Sequence, residues 1–400
     1  MTRAEPSPRG GTRALAAVAT LFAANGLAVG VFGGTLPGQQ ARLDLSRIEL
    51  SGLLVAAALL AVVSMNVSGA VADRRGARLP TLAGGAVMLV ASVVMGTAPT
   101  YAVAVAGAAL FGVGNGAMDV CMNALGVSVE QARSRPVMSR LHAFFSIGNF
   151  VGALVVVVVG RVLATDPAVR WSLWSGALVL GVLLVGIRPG VPESPPHQPA
   201  TPEDVGGTDR RVPVVAWLLA AMAVCFGLTE GTGIDWSSVH VAEVGHVSPT
   251  TGAWGLACVA GFMVLIRLAG DAVVERLGRA LVVRVGAAVA LGGYLLTALT
   301  SELWSILPGW CLVGLGVGLV APQIYGLAGH VGGGRGLALV VSFGYGAFLV
   351  GPAVIGFVAS QASLQRAMLV PVVTAVGLVV MSRWMPVDPA GPTEPAHTIQ

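Results

Sequence analysis

Charged side chains are scarce in this chain, and lysine is absent. Only 10% of the 400 residues are charged, and all 23 basic residues are arginine. A soluble domain carries about 25% charged residues, which it needs to cover a water-facing surface. With 55% hydrophobic residues and a mean hydropathy of +0.82, the chain is predicted to be an integral membrane protein. The arginines are dispersed between apolar runs, so the net charge of +4 does not indicate a nucleic-acid partner.

Cysteine is also rare, and paired cysteines are missing. Cys121, Cys225, Cys258 and Cys311 lie singly in apolar stretches, without a Cys-x-x-Cys pair. Cysteines in such positions pack as small hydrophobic residues, so neither a disulfide nor a metal site is predicted. The His-Glu-x-x-His and nucleophile-elbow motifs of hydrolases are missing as well. We therefore predict neither enzymatic activity nor a cofactor.

Apolar stretches of the length that a bilayer requires, about 20 residues, recur along the chain. The first of them is free of charge from Ala14 to Ala41, which is much longer than the apolar core of a signal peptide. Charges and turn residues divide the chain into twelve predicted spans: 14–37, 50–72, 79–97, 101–126, 140–163, 171–188, 213–239, 250–270, 281–299, 304–328, 336–359 and 366–384. The sequence predicts an all-α integral membrane protein with a retained first helix.

One long polar stretch, residues 189–212, interrupts the apolar pattern after the sixth span. It is rich in Pro, Glu, Asp and Thr, which predicts a flexible linker between two six-helix bundles. The predicted organisation is a tail at 1–13, an N-terminal bundle at 14–188, the linker at 189–212, a C-terminal bundle at 213–384 and a tail at 385–400.

The arginines are distributed unevenly between the two sides of the predicted spans. Cytoplasmic loops carry an excess of arginine and lysine. With the N-terminus inside, eighteen arginines, Arg267 among them, are assigned to the cytoplasmic side. The five on the outer side are Arg42, Arg47, Arg161, Arg170 and Arg366. We predict a multi-pass protein of a bacterial inner membrane with both termini in the cytoplasm.

Two motifs recur at a spacing of 202 residues. The acid, arginine and glycine within 73–76 are matched by those within 275–278. At the same spacing, three glycines of the fourth span match three of the tenth: Gly112, Gly114 and Gly116 match Gly314, Gly316 and Gly318. Two motifs at one spacing indicate a duplicated six-helix unit, which is common in transporters. Because these glycines lie in mid-span, we assign them to close helix packing rather than to a nucleotide-binding loop.

The segment between the second and third spans reads Gly-x-x-x-Asp-Arg-x-Gly-x-Arg. It resembles the signature loop of the major facilitator superfamily, and the resemblance extends from about residue 14 to residue 384. It implies two pseudo-symmetric six-helix bundles with a gate at this loop. There we expect Gly76 to make a tight turn and Asp73 to neutralise a helix N-terminus. The predicted gate residues are Gly69, Asp73, Arg74, Gly76, Arg78, Glu275, Arg276 and Gly278.

Two neighbouring spans carry polar side chains on one helical face. Asn115, Asp119 and Asn123 are spaced by four in the fourth span, and His142 and Asn149 are seven apart in the fifth. Polar residues within spans are costly and usually face the bundle interior or a cavity. The two stripes therefore predict a wet central cavity. Further candidate contacts to a substrate are single polar residues of other spans: Asn25, Gln323 and Tyr345.

The element Asp119-x-x-x-Asn123, followed by a Phe-x-x-x-Gly stretch at 144–148, resembles the fucose:proton symporter group. The chain is more similar still to bacterial inner-membrane permeases related to that group, which share segments like those at 230–237 and 344–352. In the symporters, a glutamate at the place of Asp119 serves sugar binding and proton coupling. The resemblance therefore implies a proton symporter in which Asp119 has that role.

The sequence departs from the symporters at three positions. Asn25 is the only strongly polar residue in the first span, where the symporters have a carboxylate. Phe145 takes the place of a polar sugar contact, and His142 takes the place of an amide. The candidates for proton coupling in this chain are Asp119, Glu230 and His142.

Each of these candidates also has a structural interpretation. Asp119 would pair with an arginine of a neighbouring loop, and His142 would be a satisfied buried imidazole. Glu230 is assigned to a position near the outer end of the seventh span, where it would be interfacial. Asp235 is assigned to the membrane interface because Trp236 is adjacent and tryptophan favours that zone.

The sequence thus predicts a monomeric permease that moves a small, sugar-like solute by alternating access and proton symport. Its expected partners are the solute, protons and the lipid bilayer. Efflux of an amphipathic drug or secondary metabolite is the alternative within transport. A membrane scaffold or sensor without flux is the alternative of another class.

Overall fold

A computed structural model describes residues 8–133, 137–193 and 213–386. Residues 1–7, most of the predicted linker (194–212) and 387–400 lie outside the described residues, so the predicted tails and linker are largely untested. The helices are α1 (Pro8–Leu43), α2 (Arg47–Arg75), α3 (Arg78–Thr97), α4 (Tyr101–Arg133), α5 (Met138–Val162), α6 (Thr165–Ile187), α7 (Val214–Val244), α8 (Pro249–Leu268), α9 (Gly270–Leu277), α10 (Arg279–Leu299), α11 (Leu303–Val317), α12 (Val320–Gln361) and α13 (Leu364–Trp384).

The stretch from Leu303 to Gln361 comprises two membrane spans. Its 59 residues are helical almost throughout. At about 1.5 Å per residue, a straight helix of that length would be nearly three times as long as the ~30 Å apolar core of a bilayer. Instead, α12 breaks at Gly333, whose φ is +56°. The Tyr325 side chain of the first arm (320–332) then packs against Gly344 of the second arm (334–361). The described residues therefore contain the twelve predicted spans.

The internal repeat is visible in the contacts between helices. Gly112 of α4 lies so close to Ala57 of α2 that a Cβ atom at residue 112 would overlap the Ala57 carbonyl oxygen. Gly314 of α11 packs on Val259 of α8 in the same way, and both of these residues lie 202 positions further along the chain. Two further pairs repeat this relation: Gly84 with Gly114, and Gly286 with Gly316. The glycine ladder packs helices, as predicted, and the two six-helix halves are pseudo-symmetric.

Replacing the glycine of either copy of this contact with alanine is expected to destabilise the bundle. In Gly112→Ala or Gly314→Ala the helix backbones must separate, and overpacking of this kind costs about 1–3 kcal/mol. Thermal unfolding of the purified protein in detergent measures the loss. Gly292→Ala is the control, because no atom lies within 4 Å of a Cβ at that residue. Equal stability of all three variants would show that the backbone contact is not tight.

The outer surface of the bundle is apolar. Large hydrophobic side chains are strongly exposed on several helices, among them Val162 (79%), Val214 (86%) and Leu299 (71%). Exposed side chains of this kind are unfavourable in water but suit contact with lipid chains. With its long apolar helices, this surface makes the protein a multi-pass membrane protein.

The predicted tight turn is present at both copies of the signature loop. Gly76 ends α2 with φ +85°, and Gly278 ends α9 with φ +73°. Glycine adopts positive φ without the steric cost that a Cβ atom brings. Next to the first turn, Arg78 donates hydrogen bonds to Glu193 Oε1 (2.8 Å) and to the Arg188 carbonyl oxygen (3.0 Å). The loop is thereby tied to the end of the sixth span.

The two ends of the bundle take their names from Arg47, the first residue of α2, and from Gly76, the residue that follows α2. The Arg47 end is the end at which α1 meets α2, and the Gly76 end is the end at which α2 meets α3. Between the halves, α1, α2 and α5 contact α7, α8 and α12. These contacts enclose a space in the middle of the bundle.

Candidate functional site: a polar cavity between the halves

A cavity of about 270 Å³ lies between the two halves, lined by α1, α2, α4 and α5 on one side and by α7 and α12 on the other. Its polar side chains come from both halves: Asn25, Asn115, Asp119, Asp235 and Tyr345. Four of these were predicted as site residues, and Asp235 was not. The rest of the wall is apolar or small, so the polar groups are concentrated at a few positions.

The two cavity amides have oxygen atoms without hydrogen-bond partners. Asn25 is 1% exposed, and its Nδ2 donates weakly to Met88 Sδ at 4.0 Å, while its Oδ1 has no partner. Asn115 Oδ1 is likewise buried and unpaired. Buried polar groups in folded proteins are nearly always hydrogen-bonded. These two buried oxygens therefore lack the partners that such groups normally have.

Asp119 is held by the helix that carries it. Asn123, one turn later, donates from Nδ2 to Asp119 Oδ1 (3.3 Å) and to the Asp119 carbonyl oxygen (2.9 Å). Asn123 thus orients the carboxylate, and it is not part of the cavity wall. The predicted ion pair between Asp119 and a loop arginine is not among the ion pairs of the described residues.

Aromatic side chains form much of the remaining wall. Phe32 and Phe111 are stacked, with ring centroids 4.6 Å apart and an interplanar angle of 14°. Phe145 and Phe348 also line the cavity, as does Tyr345. The position where the symporters have a polar sugar contact is therefore occupied by a phenyl ring at the cavity itself.

The cavity is sealed at the Arg47 end. Arg47 forms an ion pair with Glu243 of α7 and donates to the Ala359 carbonyl oxygen (3.2 Å). One turn deeper, Ser51 Oγ donates to the Pro352 carbonyl oxygen (2.7 Å). Towards the Gly76 end, by contrast, Tyr345 lines the cavity and remains 38% exposed. The halves are thus joined across the cavity at the Arg47 end, and the cavity wall is exposed at Tyr345.

Glu230 lies in the middle of α7, and its assignment to the outer end of that helix was wrong. The helix continues to Val244, five residues beyond the predicted span. Glu230 Oε1 is 3.5 Å from Arg267 Nη2, and the two side chains are only 10% and 13% exposed. Arg267 had been counted on the cytoplasmic side, at the end of the predicted eighth span. It is instead a buried member of α8 that pairs with Glu230.

Arg267 also connects the two halves. Its Nη1 donates to Ser146 Oγ of α5 at 2.5 Å, and its Nε donates to the Gly318 carbonyl oxygen at 3.1 Å. His142 of the same α5 turn accepts from Arg267 through its carbonyl oxygen (3.5 Å), while its ring packs edge-on against Phe22 at 5.3 Å. His142 is therefore beside the ion pair and outside the cavity wall.

Two further predicted residues do not reach the cavity wall. Asn149 is 4% exposed in α5, where its backbone packs against Gly26 and Gly30 of α1. Gln323 is 9% exposed in the first arm of α12. Each of them is buried in its own half.

The placement of Asp235 and Trp236 at the membrane interface was wrong. Trp236 is fully buried in the C-terminal half, and Asp235 faces the cavity. The sequence contains a signal for this, because Gly231, Ile234 and Asp235 have the spacing of one helical face and all three line the cavity. The adjacent tryptophan was the misleading feature.

A polar cavity enclosed between two pseudo-symmetric six-helix halves defines a secondary transporter of the membrane. The sequence matches the Major Facilitator Superfamily over residues 18–335, and the chain belongs to this family.

Curated relatives agree with this class. An uncharacterized transporter of Sinorhizobium fredii is 30% identical over 352 residues, covering 87% of this chain and 92% of the relative. An uncharacterized MFS-type transporter of Yersinia pestis is also 30% identical, over 86% of this chain and 88% of the relative. Membrane protein MosC of Rhizobium meliloti is 27% identical, over 92% of this chain and 88% of the relative.

Solved structures show the same fold at low sequence identity. The nucleoside transporter NupG superposes with a TM-score of 0.72 at 12% identity, covering 92% of this chain and 98% of that one. The human organic anion transporter MFSD10 superposes with a TM-score of 0.68 at 17% identity, covering 94% of this chain and 100% of that one. The MFS transporter FucP in the outward conformation superposes with a TM-score of 0.64 at 14% identity, covering 92% of this chain and 97% of that one.

Proposed function

We propose that this protein moves a small polar solute across the bacterial inner membrane by alternating access, with the movement coupled to protons. The observation that carries the proposal is the central cavity, which holds Asp119 from one half and Asp235 from the other and is covered at the Arg47 end by an ion pair between the halves. Two halves that rock about such a cavity expose it to each side in turn. The transporter relatives support the class, and a sugar-like solute stays a prediction.

In the proposed orientation the Gly76 end faces the cytoplasm. The arginines of the signature loops, together with Arg210 and Arg211 of the predicted linker, support this, since cytoplasmic loops carry an excess of arginine. The arrangement with a sealed Arg47 end would then be the inward-open state. Arg47 and Glu243 would be parts of the outer gate.

Reporter fusions are expected to locate Gly206 and Gln400 in the cytoplasm. A site in the first outer loop should be reachable from outside, and Asp44 is a better choice than Gly38, because Gly38 lies within α1. Membrane-impermeant thiol labelling of Asp44→Cys in intact cells measures this. A linker reporter on the periplasmic side would overturn the proposed orientation.

We assign proton coupling to Asp119 rather than to Glu230. Glu230 is already paired with the guanidinium of Arg267 and is not among the residues that line the cavity. Asp119 faces the cavity, where water and protons have access, with an amide as its hydrogen-bond partner. Asp235 is a second cavity carboxylate in the other half. His142 would act only through its neighbour Arg267.

Asp73→Asn is expected to slow transport while the protein remains inserted. The proposed gate would lose a charge–dipole interaction of roughly 0.3–1 kcal/mol. Initial rates in proteoliposomes, normalised to the amount of reconstituted protein, measure the change. Asp271→Asn, which removes an exposed acid at the equivalent end of the C-terminal half, is a comparison variant. Normal rates for Asp73→Asn would contradict a gating role for the loop.

A solute panel tests the proposed function directly. Purified protein is reconstituted into liposomes that contain a pH-sensitive dye, and sugars, nucleosides, amines and carboxylates are added one at a time. A proton symporter acidifies the lumen only when its solute is present. The aromatic cavity wall would also suit a drug exporter. Such a protein confers drug resistance on cells, and none of the added solutes acidifies the lumen. A chain that does neither is a scaffold or sensor, and the proposal fails.

A further inference from the structure

The cavity has an excess of negative charge. Asp119 and Asp235 both line it, and its lining residues include neither arginine nor histidine. The nearest ion pair behind the wall, Glu230 with Arg267, is internally balanced. None of the ion pairs among the described residues includes Asp119 or Asp235. A bound molecule therefore meets two carboxylates whose charge the protein does not compensate.

The cavity amides add acceptors to these carboxylates. Asn25 and Asn115 both line the cavity, and each has a buried Oδ1 without a hydrogen-bond partner. The two amides are independent of the carboxylates, and they require the same thing from a ligand, namely N–H or O–H donors. An ammonium group has three donors and no acceptor. A carboxylate or phosphate would bring further acceptors and negative charge.

The aromatic part of the wall suits the remainder of such a ligand. Phe32 and Phe111 present a stacked pair of rings, with Phe145 and Phe348 beside them. Aromatic faces attract cations and also bury apolar carbon. A small solute with an ammonium group and a compact carbon body would satisfy both parts of the wall.

We propose that the central cavity is the binding site for a small organic cation whose ammonium group is held by Asp119, Asn25 and Asn115, with the charge of Asp235 towards the other end of the cavity and the phenyl rings along its wall. The proposal names the substrate class of the site and rests on the proposed function for its consequence, which is transport of that cation. An anionic solute is excluded by the two carboxylates. A neutral sugar would leave their charge uncompensated.

Calorimetric titration of the purified full chain in detergent tests the proposal with three probes of one shape. Cyclohexylammonium, cyclohexanol and cyclohexanecarboxylate share a ring that fits the cavity and differ in charge. Cyclohexylammonium is expected to bind at least tenfold more tightly than cyclohexanol, and cyclohexanecarboxylate is expected not to bind. Equal binding of the first two, tighter binding of the carboxylate, or binding of none of them would each overturn the proposal.

Variants locate the binding in this cavity. Asp119→Asn should weaken cyclohexylammonium binding at least tenfold, and Asp235→Asn, which removes a charge towards the other end of the cavity, should weaken it less; neither should change cyclohexanol binding. Asp271→Asn, which removes an exposed charge from α9, should alter the binding of neither ligand. A loss of both ligands in the cavity variants would indicate a structural defect instead of a charge effect and would count against the site. The comparison of the three probes on the unmodified protein decides the matter even where a variant fails to fold.

The outcomes separate this proposal from the proposed function. Binding of cyclohexylammonium without exchange of the labelled compound above the leak of protein-free liposomes would support the cation site and contradict transport. Luminal acidification driven by a sugar, together with absent ammonium binding, would support transport and overturn the cation site.

Discussion

Glu230→Gln is expected to destabilise the protein by about 3–5 kcal/mol, because it leaves the buried guanidinium of Arg267 without its counter-ion. The remaining partners of Arg267, which are Ser146 Oγ and the carbonyl oxygens of His142 and Gly318, are neutral and do not balance its charge. Thermal unfolding in detergent and the yield of monodisperse protein measure the effect.

The matched control is the double variant Glu230→Gln with Arg267→Met. Removing both charges should recover much of the lost stability, since a buried ion pair replaced by neutral groups of similar size is often close to neutral in energy. Glu243→Gln breaks a pair that is about one-third exposed and should cost only about 0–1 kcal/mol. Stability of Glu230→Gln equal to that of the unmodified protein would contradict the buried pair.

Asp119→Asn is expected to abolish proton-driven uptake and to preserve exchange of solute across the membrane at solute concentrations that saturate the weakened site. Net uptake against a gradient needs a group that gains and loses a proton, and an amide does not. Exchange requires the solute to bind and the halves to rock, without net proton movement. Counterflow of labelled solute and dye-reported acidification, measured in the same vesicles, separate the two activities.

The second cavity carboxylate provides the comparison for this variant. If Asp235→Asn is the only variant that uncouples solute transport from proton movement, the proton site lies in the C-terminal half. If Asp119→Asn keeps full proton-driven uptake, the coupling role that the fucose symporter resemblance implies does not extend to this chain. Asp271→Asn controls for the general loss of an acidic residue.

The fold was predictable from the sequence because the signals for it are local and repeated. Apolar run length gave the twelve spans, and the 202-residue spacing gave the duplication. The contact of Gly112 with Ala57 and its counterpart at Gly314 and Val259 are direct consequences of that spacing. The break at Gly333 follows from a glycine-rich turn between two apolar runs.

The site was predictable only in part, because a sequence does not state where a span ends. The seventh span was predicted to end at 239, so Glu230 was assigned near the membrane interface. The polar residues that follow, Ser237, Ser238 and His240, are in fact completely buried in the C-terminal half. The true end at Val244 places Glu230 at mid-depth.

Pairing across helices was the other limit. Arg267 was counted on the cytoplasmic side because it adjoins the end of an apolar run. Its burial depends on Glu230, which is 37 positions earlier in the chain and in another helix. The Asn115 and Asp119 stripe, in contrast, lies on one helix, and its spacing alone predicted which face lines the cavity.

Alternating access is the central claim, and distances between spin labels at the two ends of the bundle test it most directly. With the four native cysteines replaced by alanine, one pair of labels at Ile48 and Ser360 reports on the Arg47 end. A second pair at Arg75 and Arg335 reports on the Gly76 end. Addition of the transported solute should produce a longer distance at the Arg47 end together with a shorter one at the Gly76 end, in the same fraction of molecules. Unchanged distances at both ends during measurable transport would contradict the account.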